Sequence, residues 1–342
     1  GLSGIGASKP EHGGPAGLGQ KMPHSHASAY CFHRETEIVG VCDLVQEKID
    51  DFFANWGGEV SGAKGYTDYK EMIDEQKPDL LSVVTSDNRH ADMVVYGAQS
   101  GIRGIYCEKP IATTLADADR MIEAVEAVGT VVSINHTRRW MPIFHQVRRE
   151  VESGTIGELK RLVHGWGGPR ALLFRNGTHR VDALCFLAQS DPEWVFAELD
   201  EGFEDYWPYR GDGGRNPDLE PGCSGYIHFK NGVRAFYNGT KNVQPRHGYE
   251  LTGTKGHIFL SERTFDAEIH TEDGMRRIAS DPLVYSDSAS AVRELIHVIE
   301  NGGQTTSPPR EARKTLEVLL GFMASQKKGN VRINFPLDEN TV

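Results

Sequence analysis

Two short stretches hold side chains that could move protons. In Gly104-Ile105-Tyr106-Cys107-Glu108-Lys109-Pro110 an apolar run ends in a carboxylate, an amine and a proline. Such a run reads as a buried strand of a parallel sheet. The proline ends it, because it cannot donate to the ladder and restricts the residue before it. Glu108 and Lys109 then stand at the carboxyl end of a strand, where open α/β sheets bind their ligands. An amine there can polarise an oxygen or exchange a proton with it; the competing reading is a solvated charged loop. In Gly177-Thr178-His179-Arg180-Val181-Asp182 the histidine and the aspartate are three apart, so on a helix they share a face. A carboxylate so placed orients an imidazole and raises its basicity; the competing reading is a histidine packed against a core. Arg138, Arg139, Trp140, Trp166 and Arg170 offer guanidinium forks and aromatic faces, which suit acid groups and ring-shaped ligands, or plain packing.

The elements that must position these groups alternate strand and helix from residue 1 to about 135, the doubly wound pattern. Gly4-Ile5-Gly6 looks like a first strand running into a glycine turn, where the backbone can approach a pyrophosphate. The G-x-G-x-x-G fingerprint is incomplete, with Lys9 at its third site. Residues 8–24, rich in Gly and Pro, read as an inserted loop that delays the first helix to around His24–His33. His12, His24, His26 and His33 show no metal-ligand spacing and read as surface residues. The strand at 37–43 ends in Asp43. An acid there accepts from the adenosine ribose hydroxyls of NAD and repels the 2′-phosphate of NADP; otherwise it caps a helix at 45–55. Strands at 77–85, 104–107 and 131–135 follow, with helices at 91–100 and 114–128. The last of these carries Leu115, Ala118, Ile122 and Val125 on one face.

Beyond residue 135 the pattern changes. A helix at 142–153 stops at Ser153-Gly154. Strands are expected at 159–166, 194–200, 224–230, 233–239, 248–252, 256–261 and 266–271, with Asn231-Gly232 as a hairpin signal. Helices at 291–300 and 309–323 close the chain. Many strands with few helices make a sheet with one covered face. We therefore divide the chain at 135, into 1–135 and 136–342. Residues 201–222, acidic, aromatic and rich in Gly and Pro, form a long loop that either covers a site or meets a neighbouring subunit.

The 342 residues suffice for two such domains. A formal net charge of −11 argues against a nucleic-acid or anionic-membrane surface. Five widely spaced cysteines without a C-x-x-C pair suggest reduced thiols and a cytoplasmic setting, with Cys42 and Cys107 in strands. No apolar run reaches the roughly 18 residues of a membrane span. No signal peptide is visible, and the chain starts mid-pattern without an initiator Met, which leaves room for a leader before Gly1.

Gly4-x-Gly6, Asp43, Thr85-Ser86-x-x-x-His90, Glu108-Lys109-Pro110, Arg139, Ser153-Gly154-Thr155-Ile156-Gly157 and Gly177-Thr178-His179-Arg180-Val181-Asp182 occur in the order of the Gfo/Idh/MocA family, which the chain resembles. The resemblance implies a Rossmann domain followed by an α/β domain with a large open, mostly antiparallel sheet, and a cis Lys109–Pro110 peptide. It implies hydride transfer between a nicotinamide cofactor, which Asp43 makes NAD rather than NADP, and a secondary alcohol or ketone of a sugar, inositol or related polyol. Lys109 and His179 are the implied catalytic pair. Cofactor contacts fall to Gly4, Ile5, Gly6, Asp43, Leu44, Thr85, Ser86, Asn88, His90, Glu108 and Lys109, and no metal is implied. The substrate side comprises Lys109, Arg139, Trp140, Trp166, Arg175, Asn176, His179 and Asp182. A homo-oligomer, dimer or tetramer, through the open face of the second sheet is also implied, with no nucleic acid or membrane partner. The chain departs from the family in one place: many relatives carry an Asp four residues before the histidine, where Arg175 stands. Arginine cannot act as a base, so Lys109 and His179 must move the proton, or Arg175 reads an acidic sugar. Two rival readings are a glycosidase that uses NAD for transient oxidation and a non-catalytic NAD-binding sensor or scaffold.

Overall fold

The computed structural model describes residues 25–211, 216–282 and 285–337. Gly4, Ile5, Gly6 and the insertion at 8–24 lie outside them. The described chain falls into two units: 25–140 with 285–310, and 141–282 with 311–337. The sequence suggests a single cut at 135; here the chain returns to the first unit near its end.

In the first unit the helix α1 (His26–Phe32) starts at the N-cap Ser25, whose hydroxyl accepts from the Ser28 amide in a capping box. It sits where the delayed helix was expected. Parallel strands follow: β1 (Gly40–Cys42) pairs with β2 (Lys64–Tyr66), and β4 (Gly104–Cys107) lies between β3 (Leu80–Val83) and β5 (Val131–Ile134). The connecting helices are α2 (Gln46–Trp56), α3 (Tyr69–Gln76), α4 (His90–Gln99) and α5 (Leu115–Val128). Each buries one stripe: Ile49, Phe52 and Trp56 on α2; Ala118, Met121, Ile122 and Val125 on α5. Burying a side chain of this size stabilises by about 1.5–3 kcal/mol. β4 is buried along its whole length, as its unbroken apolar run requires. The late helix α8 (Asp287–Asn301) packs on β4 and β5 and joins α1 in a core of Ala29, Tyr106, Trp140, Ala289, Val292 and Leu295.

In the second unit the helices α6 (Pro142–Glu152), α7 (Gly177–Ala188) and α9 (Pro309–Lys327) accompany a sheet of nine strands among the described residues. These are β6 (Leu159–Gly168), β7 (Pro192–Leu199), β8 (Cys223–Phe229), β9 (Arg234–Lys241), β10 (Gly248–Gly253), β11 (Gly256–Ser261), β12 (Asp266–Thr271), β13 (Gly274–Ala279) and β14 (Ile333–Asn334). Their order is β13-β12-β11-β10-β6-β9-β8-β7-β14, antiparallel except for the parallel pair β6–β9. The expected hairpin joins β8 to β9, with Gly232 at φ +83. β7, β8 and β9 alternate inward and outward residues. Val195, Ala197, Ile227, Ala235 and Tyr237 are buried, and α7 packs on β6 and β9.

Candidate functional site

The first unit brings the ends of three strands together around Glu108 and Lys109. The Glu108 amide donates to Val83 O at 2.9 Å, and the Asn135 amide donates to Cys107 O at 2.9 Å. The Lys109–Pro110 peptide is cis, as the resemblance implies. Lys109 is only 6 % exposed. The Glu108 carboxylate is held from three sides. His26 Nε2 lies 3.2 Å and Asn135 Nδ2 2.7 Å from Oε1, while the Lys109 amide donates to Oε2 at 3.2 Å. Burial alone would raise its pKa, but the bond and charge of His26, the Lys109 charge and the Asn135 bond together hold it well below the usual carboxylate range.

His26 and His33 are buried, at 2 % and 5 % exposure, against the expectation of surface histidines. Helix α1 turns them inward: His33 Nε2 meets Ala289 O at 2.7 Å, and His26 stacks on Tyr106 at 4.2 Å. His12 and His24 lie outside the described residues. His90 is fully buried, with Nδ1 at 3.0 Å from Pro110 O and Nε2 at 3.3 Å from Thr85 O. Burial lowers its pKa despite Asp87 and Glu108 nearby, so the ring is neutral and donates to only one of these two carbonyls.

The remaining cofactor-side residues of this unit are open to solvent to different degrees. Leu44 is 85 % exposed, Ser86 and Asn88 are exposed, and Asp43 and Thr85 are half-buried. Asp43 Oδ1 accepts from the Val45 amide at 3.0 Å. It therefore braces the turn before α2, whose N-cap is Val45. Arg139 and Trp140, by contrast, are built into the unit. Arg139 Nη1 donates to Thr306 O at 3.1 Å, and Trp140 Nε1 donates to Glu294 Oε2 at 3.0 Å, its ring edge-on to Tyr106.

In the second unit, α7 carries His179 and Asp182. Its first residue must be glycine: a Cβ on Gly177 would meet Tyr237 Oη at 2.5 Å and Leu172 O at 3.1 Å. His179 is half-buried. Asp182 is fully buried and accepts from Thr315 Oγ1 at 3.1 Å. Arg180 lies with its guanidinium 4.2 Å over the Trp166 ring, donates to Asn176 O at 3.0 Å and reaches Glu262 Oε2 at 3.8 Å. Trp166, 5 % exposed, donates to Tyr237 Oη at 3.1 Å. Asn176 Nδ2 donates to Arg170 O at 2.7 Å and ties the loop before α7 together.

The segment that leads into α7 is fastened by the 201–222 loop. Glu220 Oε2, fully buried, accepts from the Phe174 and Arg175 amides at 2.9 and 3.0 Å. The Leu173 amide donates to Pro221 O at 2.9 Å, and Tyr209 stacks on Phe174 at 3.7 Å. Sequence reading missed His26, Ser82 and Glu220. Only His26 left a usable signal, the Ser25-x-x-Ser28 cap that fixes where α1 begins.

Among the described residues no group of three or more His, Cys, Asp or Glu could hold a metal ion, and no helix is long and apolar enough to cross a membrane. The first unit thus carries parallel strands with a lysine past the middle one of three, and the second a large, mostly antiparallel sheet accompanied by a histidine-bearing helix. The chain belongs to the Gfo/Idh/MocA family: residues 14–136 match the family's oxidoreductase domain with NAD-binding Rossmann fold, and 144–259 match its C-terminal domain. It is 30% identical to the inositol 2-dehydrogenase of Salmonella typhimurium over 170 residues, 46% of this chain and 49% of that one, so the match spans about half of that relative's length. It is 27% identical to the myo-inositol 2-dehydrogenase of Thermotoga maritima over 341 residues, 92% of this chain and 95% of the relative. The fold is similar to that of the aldose-aldose oxidoreductase of Caulobacter crescentus complexed with glycerol: TM-score 0.76, 18% identity, covering 90% of this chain and 94% of that one.

Proposed function

We propose that this chain is an NAD-dependent dehydrogenase that oxidises a secondary alcohol of a sugar, inositol or related polyol, or reduces the matching ketone. The observation that carries it is Lys109, buried at the cis peptide past β4, in a chain whose first unit is a NAD-binding Rossmann domain. The residues around the strand ends fit the cofactor: a half-buried carboxylate at Asp43 for ribose hydroxyls, and exposed Leu44, Ser86 and Asn88 beside it. Bound NAD would supply the hydride acceptor. Lys109 polarises the reacting oxygen, and His179 takes or gives its proton. Arg175, in place of the acid that many relatives carry, reads an acidic group on the substrate, with Asn176 beside it.

The pyrophosphate-binding glycines have two candidates. Gly4-Ile5-Gly6 precedes the stretch that matches the family, which begins at 14. Gly17-Leu18-Gly19 lies within that stretch, and Gly19 stands 24 residues before Asp43, near the roughly twenty of a dinucleotide fingerprint.

The outer face of β7–β9 carries Trp194, Phe196, Tyr226 and Phe236 in mutual ring contact, with Phe196 43 % and Phe236 37 % exposed. We assign this face to self-association, in keeping with its exposed aromatic area.

Polyols, aldoses and uronic acids, each offered with NAD and with NADP and followed by the absorbance of reduced nicotinamide, test the activity. One mole of NADH per mole of alcohol oxidised is expected. Glycoside cleavage without net NADH would replace this reading by the glycosidase, and NAD binding without turnover would replace it by the sensor.

A further inference from the structure

We propose that His26 is a positioning residue for Lys109, acting through the Glu108 carboxylate. The inference rests on the reading of Lys109 as the residue at the reacting oxygen, and its own geometry is independent of that reading. His26 stands at the start of α1 and is 2 % exposed. Its ring stacks on Tyr106 at 4.2 Å and 23°. Its two nitrogens reach different strands: Nδ1 is 2.9 Å from Ser82 Oγ on β3, and Nε2 is 3.2 Å from Glu108 Oε1 just past β4. One imidazole thus ties α1 to the ends of two neighbouring strands.

A purely structural histidine in this unit is satisfied differently. His33 reaches one backbone carbonyl and His90 two. His26 instead holds a carboxylate, and the other oxygen of that carboxylate holds the Lys109 amide at 3.2 Å. With Oε1 shared between His26 and Asn135, the carboxylate has one orientation. Without the imidazole only Asn135 restrains Oε1, and the carboxylate can turn about its last torsion, which is broad for Glu. The Lys109 amide then loses a fixed acceptor, and the side chain that follows it loses its fixed origin. Misplacement by about 1 Å far from the chemistry can cost on the order of a hundredfold in rate.

The charged and titratable groups around this pair come from each neighbouring element. Tyr30, on α1, meets Ser82 Oγ at 3.0 Å and is pushed by burial to about 12, so it stays protonated. Tyr106 on β4 and His90 at the start of α4 both feel the Glu108 charge, Lys109 lowers the Glu108 pKa, and burial holds Tyr30 and Tyr106 neutral. A charge on Glu108 is therefore felt at Lys109, and the reverse holds by reciprocity.

Two amide substitutions separate the bonds. In His26→Gln the carboxamide nitrogen reaches about where Nε2 sits and can still donate to Glu108. In His26→Asn the shorter amide reaches Ser82 and not Glu108. The test is competitive acetylation of the whole chain with acetic anhydride across about pH 8–11, where lysines titrate, read by mass spectrometry at the Lys109 peptide against the other lysines as internal standards. Labelling of Lys109 should change severalfold in His26→Asn and stay near wild type in His26→Gln. No change in a folded His26→Asn protein, or equal changes in both, overturns the proposal. If neither amide variant folds, Glu108→Gln compared with the wild type provides the reading: it keeps an acceptor for the Lys109 amide but removes the charge that His26 holds, so it must alter Lys109 labelling selectively, and an unaltered labelling overturns the proposal. Lys109→Ala is assayed separately. Full turnover there removes the catalytic reading of Lys109 and leaves the labelling result to decide the coupling.

Discussion

Asp43 and Glu108 are two carboxylates that the fold uses in opposite ways. Asp43 is half-buried at the end of β1, one oxygen bracing the turn ahead of α2. A 2′-phosphate brought beside it meets like charge. Asp43→Ser should weaken NAD binding and strengthen NADP binding in a fluorescence titration, and a wild type that already prefers NADP would contradict the assignment. Glu108 is held ionised by His26, Lys109 and Asn135 in spite of its burial. Its pKa is depressed in the folded state, so its contribution to stability is present above the unfolded value of about 4.3 and drains away as the pH falls below it. The melting midpoint of the wild type should therefore fall more steeply below about pH 5 than that of Glu108→Gln, with the gap between them widest near neutrality. Equal slopes would show that the Glu108 carboxylate is not held ionised by its neighbours. The place of Lys109 just past a buried strand was legible at this scale, because an apolar run followed by a proline marks where the strand ends. His26 was not, because its partners Ser82 and Glu108 are 56 and 82 residues away.

At the scale of elements, the 201–222 loop works as a fastener for the segment before α7. Glu220 is a buried carboxylate accepting two consecutive amides, those of Phe174 and Arg175. Removing it strands both donors at a cost of about 1–3 kcal/mol each, which for a unit of this size lowers the melting midpoint by about 4 °C or more. Glu220→Ala should show that shift by calorimetry together with loss of turnover, since the fastened segment leads into the helix of His179. A midpoint within experimental error of wild type would assign the loop to another task. The long elements were legible: β4, α5, β6 to β12, α8 and α9 all fall close to the expected ranges. Those missed are short or polar. β2 has three residues and β14 two, and β13 is an edge strand with Arg276 and Arg277 exposed. Helix α3 buries only Met72 and Ile73 among four charged residues. None of these offers the apolar period that sequence reading depends on.

At the scale of the whole molecule, an amphipathic helix announces that it packs without saying on what. Val292, Leu295 and Ile296 form a stripe at helical spacing, yet α8 belongs with the parallel sheet of the first unit, not with the strands that precede it. The same limit applies to the open face of the nine-stranded sheet, where alternation shows which residues face outward and not what they meet. Phe196→Glu combined with Phe236→Glu places two charges on that face and should yield a smaller species in analytical ultracentrifugation. An unchanged sedimentation coefficient from an assembled wild type would move the subunit interface elsewhere. In the proposed enzyme the strand ends and Asp43 hold the cofactor, and proton handling begins at Lys109. Single-turnover reduction of NAD in wild type and Lys109→Ala, with the alcohol that the substrate screen identifies, separates the two tasks. Lys109→Ala should bind NAD with nearly unchanged affinity and reduce it about two to four orders of magnitude more slowly, the range of a positioned acid–base group. A folded Lys109→Ala protein that reduces NAD at the wild-type rate would contradict the assignment of proton handling to Lys109.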